Sequence, residues 1–208
     1  INDTEIPVSF SVGVATSTPG SVPGELLRDA DTAMYRAKDG GRDAVLVFDD
    51  SMRDRASTRL ELERDLRHAL DRDELAVHYQ PVVDLETGTT LGFEALMRWN
   101  HPTRGTVPPL EFIPIAEETG IIIEIGAWIL DEACRELANW RATVVDGSNL
   151  WISVNVSARQ LRDPDFTFMV ERALERHQLE PDGLVLEVTE SMLLDEGPAM
   201  PAVLGRIR

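Results

Sequence analysis

The chain has 208 residues, 43% of them apolar, and carries 20 basic against 37 acidic side chains for a formal net charge of −17. At roughly 150 residues per domain this is one folded domain with a remainder, or parts of two. Its acidity excludes DNA and long RNA as partners, because holding a polyanion needs clustered Lys and Arg. The one cysteine, Cys134, excludes an internal disulfide. With no Cys/His cluster, neither a zinc site nor an oxidising compartment is indicated, and the cytoplasm is the expected location. The first residue is Ile1, with no initiator Met and no signal peptide. The expectation is a start inside a longer protein, with a membrane anchor upstream left open.

In chain order, Pro7 to Ala15 alternates Val8, Phe10, Val12 and Val14 against Ser9, Ser11 and Gly13, the period of a half-buried strand. Leu27, Ala30, Met34 and Ala37 then step by three or four toward Gly40 and Gly41, which predicts an amphipathic helix with a glycine stop. Ala44 to Phe48 reads as a short buried strand, so residues 1–50 have the character of a domain's tail. From Asp49 to Asp73 the composition turns to Arg, Asp, Glu and Leu, which predicts a helical linker over 51–72.

A second domain is expected over 73–208. Leu75 to Val83 and Thr90 to Trp99 form a hairpin with Gly88 in its turn, and a helical region over Pro109 to Trp140 breaks near Gly120. Leu150 to Val156 is a strand, Pro164 to His177 a helix, Leu184 to Val188 a strand, and Pro198 opens another helix. Strands alternating with helices predict a parallel α/β sheet, open or part of a barrel. The greasiest run, Ile121 to Leu130, holds Glu124 and is about half the ~20 residues of a spanning helix.

Three strands carry an oxygen-bearing residue within apolar sequence: Glu94, Asn155 and Glu187. Covered strands of a parallel sheet read as nearly continuous hydrophobic runs. Such oxygens need partners, and a hard divalent cation at a shared strand end is one. Cap or loop contacts for Asn155, and a surface position or ion pair for each Glu, are the structural alternatives. Period two also places Glu94 and Arg98 on one face about 13 Å apart at ~3.3 Å per residue. A carboxylate for metal and a guanidinium for phosphate then face one pocket, unless Arg98 is a solvated charge beside Trp99. The four histidines offer no ligand spacing.

The segments Tyr79-Gln80-Pro81 and Gly92-Phe93-Glu94-Ala95-Leu96-Met97-Arg98-Trp99 resemble the signature of EAL domains, bacterial cyclic di-GMP phosphodiesterases. Phe112 to Glu117, Ser153 to Ser157 with Gln160-Leu161, and Leu186 to Ser191 match that family's later motifs in order. The first part resembles the C-terminal end of a GGDEF diguanylate cyclase domain, through Val8 to Val14, Ala30 to Lys38 and Gly41-Arg42. An Asp43 stands where that pattern usually has Asn.

The resemblance implies an α/β fold, an EAL-type variant TIM barrel preceded by the C-terminal fragment of an α+β GGDEF domain. It implies hydrolysis of cyclic di-GMP to the linear dinucleotide with Mg²⁺ or Mn²⁺. Glu94, Asn155 and Glu187 would be metal ligands of two cations that activate a water, Arg98 and Gln80 would hold substrate, and Glu190 would anchor an active-site loop. Lys38 and Arg42 would correspond to phosphate contacts of a cyclase. It further implies a homodimer through the EAL domain and an upstream sensor domain. Leu60 to Arg208 falls short of the ~250 residues of a closed eight-stranded barrel, and the family pattern continues past the positions matched here to an Asp pair, a Lys and a later Glu and Gln that these 208 residues do not include. The expectation is therefore that these 208 residues alone are inactive. A non-catalytic cyclic di-GMP receptor or interaction module, or net cyclase activity, are the alternative functions.

Overall fold

The computed structural model describes residues 9–39, 43–145 and 147–188. The chain divides into two compact units, Ile1–Leu62 and Glu63–Arg208. The division falls inside the segment expected to be a helical linker.

In the first unit, β1 (Val12–Val14) and β2 (Val45–Val47) pair in parallel, with α1 (Pro23–Asp39) as the crossover between them. The alternation expected in β1 is present, but its apolar side faces away from the helix. Phe10, Val12 and Val14 are 69%, 43% and 36% exposed, and Val45 and Val47 are 66% and 55% exposed. The helix lies instead against the Gly13 side, so closely that a Cβ there would run into the Ala30 carbonyl and the Met34 backbone. Only a small-residue helix face can come that near, which is why Ala33 and Ala37 are the buried positions of α1 while Leu27 is 70% exposed. Val8 and the Gly40-Gly41 stop lie outside the described residues.

A further helix, α2 (Asp50–Leu66), leads into the second unit. There the elements are β3 (Leu75–Val83), β4 (Thr90–His101), β5 (Gly105–Val107), α3 (Pro109–Thr119), α4 (Ile122–Thr143), β6 (Trp151–Asn155), α5 (Ala158–Leu161), α6 (Phe166–His177) and β7 (Leu184–Glu187). The sheet order is β3-β4-β6-β7, with β5 pairing β4 as a flank. β3 is antiparallel to β4, while β4, β6 and β7 run parallel. The hairpin turn is held by Asp84, whose Oδ1 accepts the N–H groups of Glu86 and Thr87 at 3.0 and 2.8 Å. Pro109 starts α3, and Gly120, at φ 85°, ends it in the left-handed region, which produces the expected break before α4.

One face of the sheet is packed under helices. Trp99, Ile152 and Val154 are buried there along with Phe112 of α3 and Ile125, Leu130 and Leu137 of α4. Trp99 meets Phe112 edge to face with centroids 5.7 Å apart, and Trp140 of α4 covers Tyr79 and Phe93 at 4.9 and 4.3 Å. α6 packs on α4 through Phe166, Val170 and Ala173, and Asp131 of α4 accepts from Arg176 at 2.7 Å and lies 3.2 Å from the His177 ring.

The far end of β4 is fixed by buried polar contacts. Trp99 Nε1 donates to Glu74 Oε2 at 3.0 Å, and the Asn100 N–H donates to the Glu74 carbonyl at 2.8 Å. His101 Nδ1 accepts the N–H groups of Thr103 and Arg104, both at 3.3 Å, which leaves Nε2 to donate to Asp65 Oδ2 at 3.2 Å. The adjacent Arg64 guanidinium first, and His101 after it, hold the Asp65 carboxyl below its ordinary range.

Replacing Glu74 by Ala strands a buried indole N–H, and should lower stability by about 1–3 kcal/mol in denaturant titration. The Trp99→Phe background should remove most of that loss. Cys134 is fully buried, and burial, with Asp131 adding to it, pushes its thiol up to about 12. A maleimide at pH 8 should therefore label it only after unfolding, as intact-mass measurements over a denaturant series would show.

Candidate functional site

The opposite face of the sheet carries the polar residues. Strand alternation puts Ala76, His78, Gln80 and Val82 of β3 opposite Arg98, Leu96, Glu94 and Gly92 of β4 on that side. The parallel ladders then set Glu94 beside Ser153 and Asn155 beside Glu187. Five of the residues singled out from the sequence, Gln80, Glu94, Arg98, Asn155 and Glu187, thus share one face at the C-terminal ends of β6 and β7. Glu94 and Arg98 are partly exposed, and Gln80, Asn155 and Glu187 are exposed, so the face is open to solvent among the described residues.

Within this group Asn155 Nδ2 donates to Glu94 Oε1 at 2.8 Å, a bond between residues of adjacent parallel strands. It occupies the nitrogen end of the amide and leaves the carbonyl oxygen as a donor atom for a cation. The Val156 N–H donates to the Glu187 carbonyl at 2.9 Å, which fixes the end of β6 against the end of β7. Arg98 Nη1 donates to the Met97 carbonyl at 2.8 Å. The Ser153 hydroxyl, fully buried and in register with Glu94, has no hydrogen-bond partner among the described residues.

The donor set fits a hard divalent cation. No three His, Cys, Asp or Glu side chains cluster for a metal among the described residues. The available donors are two carboxylates and one amide oxygen, all of the kind that suits Mg²⁺ or Mn²⁺ and not zinc.

Two candidates from the sequence, Arg42 and Glu190, lie outside the described residues. Lys38 is in the first unit, exposed on the last turn of α1 with its Nζ 5.4 Å from the Tyr35 ring centroid. The sequence reading did not identify the helix α5 that follows Asn155. Ser157 and Gln160 form a capping box there: the Gln160 N–H donates to Ser157 Oγ at 3.3 Å, and the Ser157 N–H to Gln160 Oε1 at 3.0 Å. Its signal, Ser followed three residues later by Gln, is present in the sequence.

A profile of the EAL domain matches residues 63–208. The chain is 44% identical over 206 residues to the bifunctional diguanylate cyclase/cyclic di-GMP phosphodiesterase MucR of Pseudomonas aeruginosa, covering 98% of this chain and 30% of that protein. It is 42% identical over 192 residues to the cyclic di-GMP phosphodiesterase PdeR of Escherichia coli, covering 92% of this chain and 28% of that protein. Among solved structures it resembles a PaMucR phosphodiesterase in complex with c-di-GMP, with a TM-score of 0.67 at 44% identity over 71% of this chain and 59% of that one. An EAL enzyme bound to cAMP and cyclic di-GMP matches with a TM-score of 0.69 at 29% identity, over 91% of this chain and 50% of that one. The chain thus spans less than a third of the length of these curated relatives. With the profile covering the whole second unit, and Glu94, Ala95 and Leu96 supplying the tripeptide of its name, the chain belongs to the EAL domain family.

Proposed function

We propose that the second unit is a metal-dependent phosphodiesterase that hydrolyses cyclic di-GMP to the linear dinucleotide. The observation that carries this reading is the convergence of Gln80, Glu94, Arg98, Asn155 and Glu187 on one open sheet face, with Asn155 bonded to Glu94. The relatives that bear the names of cyclic di-GMP phosphodiesterases support the choice of substrate.

On this reading Glu94, Asn155 and Glu187 hold Mg²⁺ or Mn²⁺. Such cations, when bound, lower the pKa of a water and offset charge on the attacked phosphate. Asn155 keeps Glu94 oriented through its amide N–H. Arg98, further along the same face of β4, binds a phosphate of the dinucleotide through a charge-assisted hydrogen bond. Gln80, directly opposite Glu94 on β3, orients the substrate beside the carboxylates. A supporting role for Glu190 belongs to the same reading.

The first unit we read as the end of a GGDEF domain, which makes the protein a tandem signalling enzyme, with Lys38 and Arg42 as former or present phosphate contacts. Similarity to the bifunctional MucR extends over 206 residues and so through this unit, which supports that reading. A cytoplasmic location, a homodimer through the EAL unit and a sensor domain elsewhere in the protein belong to the same proposal. No helix among the described residues is long and apolar enough to cross a membrane.

Chromatography of cyclic di-GMP incubated with the whole protein and Mg²⁺ tests the reading. Linear dinucleotide should appear, and Glu94→Ala should reduce its rate by about 100-fold or more, since even residues supporting a metal ligand are worth about 10–100-fold. A folded wild-type protein that retains the nucleotide without cleaving it would identify a receptor instead. Arg98→Ala should raise KM by about tenfold or more, as expected for losing a charged hydrogen bond of about 1.5–3 kcal/mol. An unchanged KM would remove Arg98 from the substrate site.

A further inference from the structure

The peptide that leaves Asn155 is held from both directions. Upstream, β6 is locked between β4 and β7. Downstream, two consecutive side chains of α5 dock on two different helices. Arg159 Nη1 donates to the carbonyls of Glu117 and Glu118 at 2.8 and 3.2 Å, two of the last carbonyls of α3. Gln160, 3% exposed, lays its amide against the backbone of α4 at Gly126, where any Cβ would collide with Gln160 Nε2. The other end of the same amide, Oε1, accepts the N–H of Ser157, two residues after Asn155.

A buried amide seated in a glycine niche of α4 therefore fixes the exit angle of the chain at Asn155. The side chain of Asn155 is itself exposed, and its one described bond is to Glu94. Its position comes from that bond and from its backbone, which the β7 ladder holds on the strand side and the Gln160 amide holds on the exit side. Displacements of about 1 Å at a reacting centre cost rates of the order of 100-fold. A four-residue helix held by its capping box, by the buried Gln160 amide and by Arg159 on the last carbonyls of α3 is rigid enough to prevent them.

We propose that Gln160, in the niche made by Gly126, is a positioning residue for Asn155 and through it for the divalent cation. This inference rests on the metal-dependent reading of the site. It assigns a role to α4, on the covered side of the sheet, in a site on the open side.

The test compares the whole wild-type protein with Gln160→Met, Gln160→Ala, Gly126→Ala and the double variant Gly126→Ala/Gln160→Ala. Mg²⁺ affinity is measured by calorimetry without nucleotide, turnover is measured separately, and thermal unfolding confirms that each protein is folded at the assay temperature. Gln160→Met keeps the length of the side chain but removes both amide functions, whereas Gly126→Ala keeps the amide and evicts it from the niche. Each should weaken Mg²⁺ binding by about tenfold, the lower end for a residue supporting a ligand. With Mg²⁺ saturating, each should lower kcat with KM for cyclic di-GMP little changed. In the Gln160→Ala background, Gly126→Ala should add nothing further, because the group it displaces is gone.

Should Gly126→Ala not fold, Gln160→Met is compared with Gln160→Glu, which keeps the acceptor for the Ser157 N–H and should restore most of the Mg²⁺ affinity. Folded variants that bind Mg²⁺ as wild type does would overturn the proposal, and so would losses at Gln160 and Gly126 that simply add. Those results differ from failure of the underlying reading, in which folded wild-type protein itself neither binds Mg²⁺ nor cleaves the nucleotide, and the positioning role falls with it.

Discussion

The parallel register of β4, β6 and β7 is the constraint on which the site depends. Side chains on a strand alternate faces, so Glu94, Asn155 and Glu187 share one face only because Glu94 pairs with Ser153 and Asn155 with Glu187. A slip of one residue in β6 would turn Asn155 toward α4 and bring Ile152 and Val154 out into solvent. Each is fully buried, and burial of such a side chain is worth about 1.5–3 kcal/mol. Losing two of them would consume a large part of a typical total stability of about 5–15 kcal/mol. Apolar packing on one side of the sheet thus sets the geometry of carboxylates and amide on the other.

That coupling explains the division of labour between the two faces. The covered face carries residues held chiefly by packing: Trp99 against Phe112, and Tyr79 and Phe93 under Trp140. The open face carries the exposed Gln80, Asn155 and Glu187 beside the partly exposed Glu94 and Arg98. On the covered side the Tyr79 hydroxyl is buried with no hydrogen-bond partner among the described residues, whereas Glu74 is tied down by Trp99 Nε1. The Gln160 amide does the same against α4, and in doing so connects the two faces.

Much of the second unit was legible in the sequence because its elements are long enough to show a period. Leu75 to Val83 has the same bounds as the strand, and the helical break falls at Gly120 because a left-handed residue is needed there. β5 and α5 escaped notice because each is too short to show a period and neither has the apolar run that marks the equally short β2 and β7. In the first unit, periodicity in β1 grouped Phe10, Val12 and Val14 correctly but assigned the wrong side as covered. Alternation says which residues share a face, while the choice of covered face was made by Gly13, through the close approach of α1. The site behaved similarly. Glu94, Asn155 and Glu187 were visible as polar interruptions of apolar strands, and Gln80 acquired its place opposite Glu94 only through pairing. The niche for Gln160 was invisible, because it depends on a glycine in a helix remote in sequence.

Charge gives the proposed chemistry its strongest physical condition. The chain is acidic by 17 charges, and several of its cations are engaged with protein groups. Arg67 pairs with Glu63, Arg135 with Glu132 and Glu136, and Arg176 with Asp131, while Arg141 donates to the Leu150 carbonyl. On the open face, Arg98 has its described bond to a neutral carbonyl, Met97 O, and a guanidinium has further donors to offer an anion. One arginine does not neutralise a dinucleotide with two phosphodiesters lying beside Glu94 and Glu187. Like charges a few ångströms apart near a protein surface repel by a few kcal/mol, so the same two carboxylates that suit the face to a cation make it hostile to the nucleotide alone. Divalent cations reverse that sign, and on this reading they are a condition for binding the substrate as well as for cleaving it.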